Sequence, residues 1–144
     1  MPRPSEILDL ILKGQGTPPP FVHALRFPKI EGWEPGHVWA KWEVDRDFFH
    51  LFGAVFGGYL AALADQFVGL AMLSTLDEGE RFTTSDLRYS FFRPVTGGTL
   101  TIDARVVHRG RRMGHVEAIF TTADGKVAGK ATATQVIIPV READ

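Results

Sequence analysis

The segment GGYLAALADQFVGLAML, residues 57–73, constrains the fold of this chain more than any other stretch. Large apolar side chains recur along it at helical spacing, and the opposite side is also apolar or small. A helix that is apolar on every side is buried on every side, so we expect residues 57–74 to form a buried central helix. The segment contains Asp65 and Gln66 and is shorter than the roughly 20 apolar residues that a membrane span needs.

The pattern elsewhere is mainly that of β-strands. Segments on both sides of this helix alternate apolar and polar residues; they are residues 38–44, 82–94, 98–110, 113–122 and 127–139. The sequence ADGK at 123–126 is a hairpin turn signal, and short connections of this kind favour an antiparallel sheet. The sequence therefore predicts an α+β fold in which an antiparallel sheet wraps around one long central helix.

The N-terminal region differs from the rest of the chain. Residues 5–13 are typical of a short amphipathic helix, and GQGTPPP after them is typical of a linker or turn. We therefore divide the chain into an N-terminal helix and linker extension, residues 1–31, and one folded domain, residues 32–144. Hydrophobic residues make up 44% of the sequence, which is enough for a core without a metal or disulfide.

Composition excludes several classes of function. The chain has no cysteine, which excludes disulfides, thiolate zinc sites and a cysteine nucleophile. A formal net charge of -1 gives no general affinity for nucleic acid or for an anionic membrane. No HExxH, G-x-S-x-G, P-loop or G-x-G-x-x-G pattern occurs, so we expect no metal and no cofactor. The N-terminus has no signal-peptide pattern, and we expect a cytoplasmic protein.

The acid in the central helix raises a functional question. Helical geometry puts Asp65 beside Ala61, Val68, Gly69 and Met72, on a side with no polar surface of its own. We therefore expect Asp65 to be buried. A buried carboxylate is costly unless it is paired, so Asp65 either has a structural partner or takes part in chemistry.

Two glycines begin this helix, and they favour a chemical role for Asp65 over a structural one. The first amide N–H groups of a helix have no partner within it. The N–H groups of Gly57 and Gly58 could therefore hold an oxygen that gains negative charge. The structural alternative is that the glycines only permit a tight entry or close helix packing.

The distance between Gly57 and Asp65 along the helix predicts that a shared site takes them from different chains. Gly57 and Asp65 are separated by about 12 Å along one helix, at 1.5 Å per residue. Two antiparallel copies of the helix, side by side across a two-fold axis, bring each Asp65 to the Gly57 of the other copy. We therefore predict a homodimer with two equivalent sites at its interface.

Four stretches together resemble one family. They are GAVFGGYLAALAD, TSDLRYSFFRPVTGGTL, VVHRGRR and DGKVAGKATAT. In order and spacing they are similar to the hotdog-fold acyl-CoA thioesterases, in the branch that includes phenylacetyl-CoA thioesterases. The resemblance covers about residues 32–138. It implies an antiparallel sheet around one helix, an acyl-CoA substrate, coenzyme A only as part of that substrate, and dimers that pair further.

The resemblance also implies roles for individual residues. Asp65 corresponds to the catalytic carboxylate, a general base or nucleophile, and the Gly57 amide to the oxyanion hole. Thr84 falls where the family has a residue that helps hold the attacking water. Two positions depart from the pattern: the family's His before the glycines is Phe56 here, and its Asn six residues earlier is His50.

Further residues are candidates for substrate binding. In the family, basic residues near the HRGRR turn lie close to coenzyme A phosphates, and we assign this role to Arg111 and Arg112 rather than to Arg109. Solvated hairpin charges are the plain alternative. Phe52 and Phe56 belong to an aromatic cluster that packs in the core or walls an acyl or aryl pocket. Gly58 and Gln66, next to the two catalytic groups, complete the set; they are candidates for substrate contact.

Two other functions stay open. Asp45 and His50 have the five-residue spacing of hotdog-fold enoyl-CoA hydratases, although the Asn-Pro expected between them is Asp47-Phe48. With Phe56 in place of histidine, the domain could instead bind acyl-CoA or another apolar ligand without turnover.

Overall fold

The structure is a computed structural model, and it describes residues 3–141. Its helices are α1 (Pro4–Leu12), α2 (Pro20–Ala24) and α3 (Gly57–Leu73), with a 3-10 turn at Arg46–Phe48. Its strands are β1 (Ile30–Glu34), β2 (His37–Glu43), β3 (Glu80–Phe91), β4 (Thr99–Arg109), β5 (Met113–Thr121) and β6 (Val127–Pro139). Residues 1–2 and 142–144, which fall at the outer ends of the predicted segments 1–31 and 32–144, lie outside the described part.

The six strands form one antiparallel sheet in the order β1-β2-β4-β5-β6-β3. Helix α3 packs against β2, β3, β4, β5 and β6, so that the core lies between this helix and the sheet. The predicted α+β fold, a sheet wrapped around one long central helix, is confirmed. The helix begins at the predicted residue, Gly57, and ends one residue before the predicted end.

Strand alternation correctly identified the side chains that face the helix. Val38, Ala40 and Trp42 of β2 are buried, as are Leu100 and Ile102 of β4. These side chains share one parity along their strands, which places them all on the inner face of the sheet.

Two elements were not predicted. Helix α2 begins at the last proline of the linker, where the fixed φ of proline suits the first helical position. Strand β1 has the sequence IEGWE, whose glycine and acids weaken the strand pattern. Gly32 is needed there because a Cβ at this position would lie 2.3 Å from a ring carbon of Trp39.

The N-terminal helix packs onto the same core. Leu8 is fully buried, and the indole Nε1 of Trp33 donates a hydrogen bond to Asp9 Oδ1 at 2.9 Å. The division of the chain at residue 31 stays a prediction. Within residues 3–141, no helix is long and apolar enough to cross a membrane.

Strand β3 forms one edge of the sheet and contains a bulge. Its register with β6 shifts between Thr84 and Asp86, with Ser85 as the extra residue. Because of the shift, Phe82 and Thr84 face the helix before the bulge, and Leu87 faces it after the bulge.

The expectation that α3 is buried on every side is wrong for the single chain. Asp65 is exposed, and Ala61, Ala62 and Leu70 are half-buried. The sheet covers the other sides of the helix, and no described part of the chain fully covers this one. Apolar periodicity shows that a face avoids water but does not identify what covers it. The exposed side of α3 next to the edge strand β3 is therefore an uncovered apolar face that carries an acid.

Candidate active site

The entry to helix α3 leaves backbone donors free. Phe56 is the N-cap residue, and its side chain makes no capping hydrogen bond. Its carbonyl accepts a hydrogen bond from the N–H of Tyr59, while within residues 3–141 the N–H groups of Gly57 and Gly58 have no acceptor. The predicted pair of bare amides is therefore present in the structure.

A cavity of about 380 Å³ lies at this helix entry. Gly57 lines it together with His50, the apolar residues Ala54, Val55 and Leu60, and the segment from Phe91 to Val95. A Cβ on Gly57 would lie 2.9 Å from Cζ of Phe91, so the absence of a side chain lets this ring approach the amide. Arg93, an exposed residue of the cavity lining, was not among the predicted site residues.

One ring nitrogen of His50, a residue of this cavity lining, is engaged by the backbone. Its Nδ1 accepts a hydrogen bond from the N–H of Phe52 at 3.0 Å. In the neutral imidazole, an accepting Nδ1 requires the proton on Nε2. The neutral ring therefore carries its proton on Nε2, and His50 lines the cavity together with Gly57.

Asp65 lies in a second cavity, of about 330 Å³. Thr84 Oγ1 donates a hydrogen bond to Asp65 Oδ1 at 3.0 Å, and the same hydroxyl lies 3.0 Å from Gln135 Oε1. Thr84 is on β3 immediately before the bulge and pairs in register with Gln135 of β6. The helix and the edge strand together therefore hold one oxygen of the carboxylate, and within residues 3–141 the other oxygen accepts no hydrogen bond.

The rest of this second cavity is mainly apolar and comes partly from the N-terminal region. Asp65, Gln66 and Thr84 supply its polar side chains, and the other lining residues are Phe21, Leu25, Phe27, Ala62, Gly69, Leu70, Leu73 and Phe82. Sequence reasoning missed the first three of these because α2 and the segment after it were assigned to an extension outside the domain. The two aromatic residues Phe21 and Phe27, close together in the sequence, were the available signal.

The two cavities separate the predicted catalytic groups. Gly57 and His50 line the first, and Asp65 and Thr84 line the second. The single chain does not bring the amide and the carboxylate together, as the spacing of about 12 Å along the helix requires.

The other predicted residues lie outside both cavities, with one exception. Gln66 lines the second cavity. Phe52 is 90% exposed, Gly58 is exposed, and Phe56 packs its ring over Gly58 and near Tyr59. In the single chain, these three residues lie beside the helix entry without lining its cavity.

The three arginines of the β4–β5 hairpin differ in their surroundings. Arg109 is paired with Glu80 and also donates to the carbonyl of Gly110. Arg111 and Arg112 are exposed, and no carboxylate among residues 3–141 forms an ion pair with either of them. Arg111 and Arg112 therefore lie in solvent, whereas Arg109 is part of an ion pair that connects the hairpin to β3.

Asp45 is already engaged with other groups. Its Oδ2 accepts from the Arg26 guanidinium at 2.8 Å and its Oδ1 from the N–H of Asp47 at 2.9 Å. These hydrogen bonds, the one from the Asp47 backbone first, hold the pKa of the Asp45 carboxyl below its usual range. Asp45 lines neither cavity, whereas His50 lines the first.

Several known proteins similar to this chain are described as thioesterases. The family model described as the thioesterase superfamily matches residues 52–128. The phenylacetic acid degradation-related protein of Ralstonia eutropha is 29% identical, with a TM-score of 0.80 over 90% of this chain and 98% of that one. A hypothetical thioesterase of Streptococcus pneumoniae, solved with coenzyme A, is 28% identical, with a TM-score of 0.76 over 84% of this chain and 93% of that one.

A curated relative supports the same family. The proofreading thioesterase EntH of Klebsiella pneumoniae is 29% identical over 93 residues, which cover 65% of this chain and 68% of EntH. The match to the family model includes the entry to α3, Asp65, Thr84 and the hairpin arginines. Because that model spans more than half of the sequence, this chain belongs to the thioesterase superfamily and has its hotdog fold.

Proposed function

We propose that this thioesterase hydrolyses acyl-CoA at sites formed between two copies of the chain. A water molecule adds to the thioester carbonyl as Asp65, acting as general base, takes one of its protons. The Gly57 N–H of the other copy donates to the oxyanion. The carbon–sulfur bond then breaks, the thiolate takes up the proton, and free acid and coenzyme A leave. Direct attack by Asp65 on the carbonyl is the second route open to the same carboxylate.

The observation that carries the proposal is the setting of Asp65. One carboxylate oxygen accepts from Thr84 at 3.0 Å, and the other is free of partners within residues 3–141. A carboxylate held in one orientation, with one oxygen available and an apolar wall beside it, is suited to accept a proton from water. Thr84 contacts Asp65 directly, so we assign it to orienting the carboxylate in addition to holding the water.

The uncovered face of α3 supports a two-fold dimer. Asp65, Ala61 and Ala62 lie on this face, and the edge strand β3 borders it. Alanines permit close helix approach, and an unpaired edge strand is a natural place for a second chain to continue the sheet. A two-fold axis at this position joins the Gly57 cavity of one copy to the Asp65 cavity of the other. We propose that such dimers pair further.

The assignment of coenzyme A as carrier rests on neighbours and charge. The Streptococcus pneumoniae thioesterase was solved with coenzyme A, and a Streptococcus mutans protein of the same fold, at 32% identity, with acetyl-CoA. Arg111 and Arg112 are free to bind phosphate groups, for which the planar guanidinium fork is well suited. Arg93 is a third candidate because it lines the cavity that contains Gly57.

The acyl group belongs, on this proposal, in the cavity beside Asp65. That cavity has a volume of about 330 Å³, at the lower end of the range for small-molecule sites, and is lined mainly by aromatic and aliphatic side chains. We therefore propose an apolar acyl or aryl group. His50, through its Nε2–H, supplies a donor at the Gly57 cavity where the family histidine is replaced by Phe56.

The hydratase alternative has less support. It requires Asp45 and His50 in one site, but Asp45 is bonded to Arg26 and to the backbone of Asp47, away from the cavity that His50 lines. Ligand binding without turnover would use the same cavities, and we keep it as an outcome of the test.

The test is a thiol-release assay over short, long and aromatic acyl-CoAs, with crotonyl-CoA included. The proposal expects release of free thiol, fastest with an apolar acyl group. Hydration of crotonyl-CoA without thiol release would support the hydratase. Heat of binding in calorimetry with no thiol release from any substrate would overturn the enzymatic proposal in favour of a binding protein.

A further inference from the structure

Gln135 is the buried polar residue closest to the proposed chemistry. It lies on β6 and has no exposed surface, with Ala133 and Ile137 buried on the same face of the strand. Its Oε1 is 3.0 Å from Thr84 Oγ1, and its Nε2 is buried without a hydrogen-bond partner among residues 3–141. A buried amide nitrogen without an acceptor is rare and unfavourable, so its surroundings need an explanation.

The number of hydrogens available at Thr84 explains the unpaired Gln135 nitrogen. The Thr84 hydroxyl has a single hydrogen but lies 3.0 Å from two oxygens, Asp65 Oδ1 and Gln135 Oε1. It can donate to only one of them, and the other oxygen then faces the hydroxyl oxygen with no hydrogen between them. A carboxylate oxygen is a stronger acceptor than an amide oxygen. The Thr84 hydroxyl therefore donates its hydrogen bond to Asp65 Oδ1.

A half-turn of the Gln135 amide resolves the conflict at Thr84, and the buried position without a partner is then taken by Oε1, for which a missing partner is less unusual than for an N–H group. Exchanging Oε1 and Nε2 changes the shape of the side chain very little. Nε2–H then donates to Thr84 Oγ1, whose own hydrogen is donated to Asp65 Oδ1. All three groups form one directed chain, and the buried nitrogen gains the acceptor that it lacks in the other orientation.

We propose that Gln135 is a positioning residue, whose amide donates to Thr84 and thereby keeps the Thr84 hydrogen directed at Asp65. Gln135 does not contact the substrate and acts through Thr84. A hydroxyl that accepts one hydrogen bond is a better donor in the next, so the chain fixes the carboxylate in one orientation. Its role in catalysis rests on the proposed function of Asp65, whereas the orientation of the amide does not.

The kinetic test is a double-mutant cycle between Gln135 and Thr84. Gln135→Met keeps the length of the side chain and removes its hydrogen bonds, and Thr84→Val removes the hydroxyl. We expect Gln135→Met to lower kcat roughly tenfold with KM within about twofold of wild type. In the Thr84→Val background, Gln135→Met should not lower kcat further, because the hydroxyl that connects Gln135 to Asp65 is already absent.

The melting temperature of Gln135→Met distinguishes a positioning role of Gln135 from a role in folding. Gln135→Met replaces a buried polar group by an apolar one of similar size, and we expect its melting temperature to match or exceed that of wild type. Unchanged kcat in Gln135→Met, or an equal loss in both backgrounds, would overturn the positioning role.

A second measurement needs no turnover. In the proposed orientation the Gln135 side-chain amide protons give strong nuclear Overhauser effects to the Thr84 methyl group and exchange slowly with solvent. Thr84→Val should shift the Gln135 amide resonances, whereas Thr84→Ser, which keeps the hydroxyl, should leave them close to wild type. Amide protons directed away from Thr84 would refute the proposal even if the protein hydrolyses thioesters. If they face Thr84 in a protein without thioesterase activity, only the proposed function fails.

Discussion

Asp65 is the residue on which the proposed chemistry depends. Its carboxylate is held by Thr84 on the uncovered face of α3. We expect Asp65→Asn to lower kcat for every acyl-CoA tested by roughly 10²–10⁴-fold, because an amide cannot accept the proton from water. The melting temperature should change little, because asparagine has nearly the shape of aspartate and its Oδ1 can still accept the hydrogen bond from Thr84.

The matched control for this variant is Asp86→Asn. Asp86 is exposed on the same edge strand, across the bulge from Thr84, and lines neither cavity. It loses the same charge without touching the site, and its kcat should stay near wild type. Wild-type turnover in Asp65→Asn would contradict the mechanism.

Gly57 allows the proposed oxyanion hole to be tested by a substitution that changes the backbone. Gly57→Pro removes the N–H at a helix position where proline is well accepted, after a residue with the extended backbone that precedes proline, Phe56 at φ -66° and ψ 143°. We expect a loss of roughly 10²–10³-fold in kcat, typical for one oxyanion donor.

Gly57→Ala separates the amide from the added bulk. Both variants bring a Cβ that meets the Phe91 ring at 2.9 Å, which a flexible ring can avoid by turning. The alanine variant keeps the N–H and should lose only a few-fold in kcat by comparison. Equal losses in the two variants would mean that bulk at Gly57, and not the donor, limits turnover.

At the level of secondary structure, Tyr59 connects the central helix to the N-terminal segment. Its hydroxyl donates to the carbonyl of Leu25 at 2.8 Å, immediately after α2. Burial raises the pKa of Tyr59 to about 12, against about 10 in an unfolded chain. A raised pKa in the folded state favours the neutral phenol, so this stabilisation is complete below about pH 10 and is lost as the pH rises through about 12.

The measurement is urea denaturation as a function of alkaline pH. Wild type should lose stability between about pH 10 and about pH 12. Tyr59→Phe should be less stable by about 1 kcal/mol near neutral pH, for the lost hydrogen bond, and its stability should fall less steeply with pH. Burial also raises the pKa of Tyr89, so part of the slope should remain. If stability fell with pH equally steeply in Tyr59→Phe and wild type, Tyr59 would ionise with the same pKa in the folded and unfolded chain.

Helix α2 provides a test of the acyl site. Phe21 is 49% exposed and lines the cavity that contains Asp65. We expect Phe21→Ala to raise KM for aromatic or long acyl-CoAs by roughly tenfold through lost apolar contact, and to leave acetyl-CoA nearly unaffected. Leu12→Ala, an exposed apolar residue outside both cavities, is the control. A uniform change in KM for all substrates would argue against an acyl role for this cavity.

The sequence predicted the regular elements well and the partners of the site less well. The helix from Gly57 was predicted from its long apolar run, and β4 from the apolar alternation between Leu100 and Val106. Strand β1 was missed because Gly32 and two acids interrupt its pattern. Gln135 was missed because a lone amide in a strand gives no signal until the register with Thr84 is known.

At the scale of the whole molecule, the proposed dimer predicts complementation. A site that takes Gly57 from one chain and Asp65 from another should reappear when two inactive variants are mixed. Equal amounts of Gly57→Pro and Asp65→Asn chains, unfolded and refolded together, should recover about a quarter of wild-type activity. Half of the dimers are then mixed, and in each of these one site carries both changes and the other carries none.

Each variant refolded alone is the control, and light scattering reports the size of the assembly. A mixture no more active than the two separate variants would contradict a site shared between chains. A monomer that keeps full activity on dilution would contradict it independently.

The bulge in β3 places one extra residue, Ser85, between two regularly paired halves of the strand. Even-numbered residues face the helix up to Thr84, and odd-numbered residues face it from Leu87 onward. Deletion of Ser85 would give one regular alternation, with Phe82, Thr84, Leu87 and Tyr89 all still on the inner face. The extra residue therefore does not decide which side chains face the helix; it bends and twists the strand between Thr84 and Asp86. Its deletion should keep the inner face of the strand intact and change the direction from which Thr84 meets Asp65.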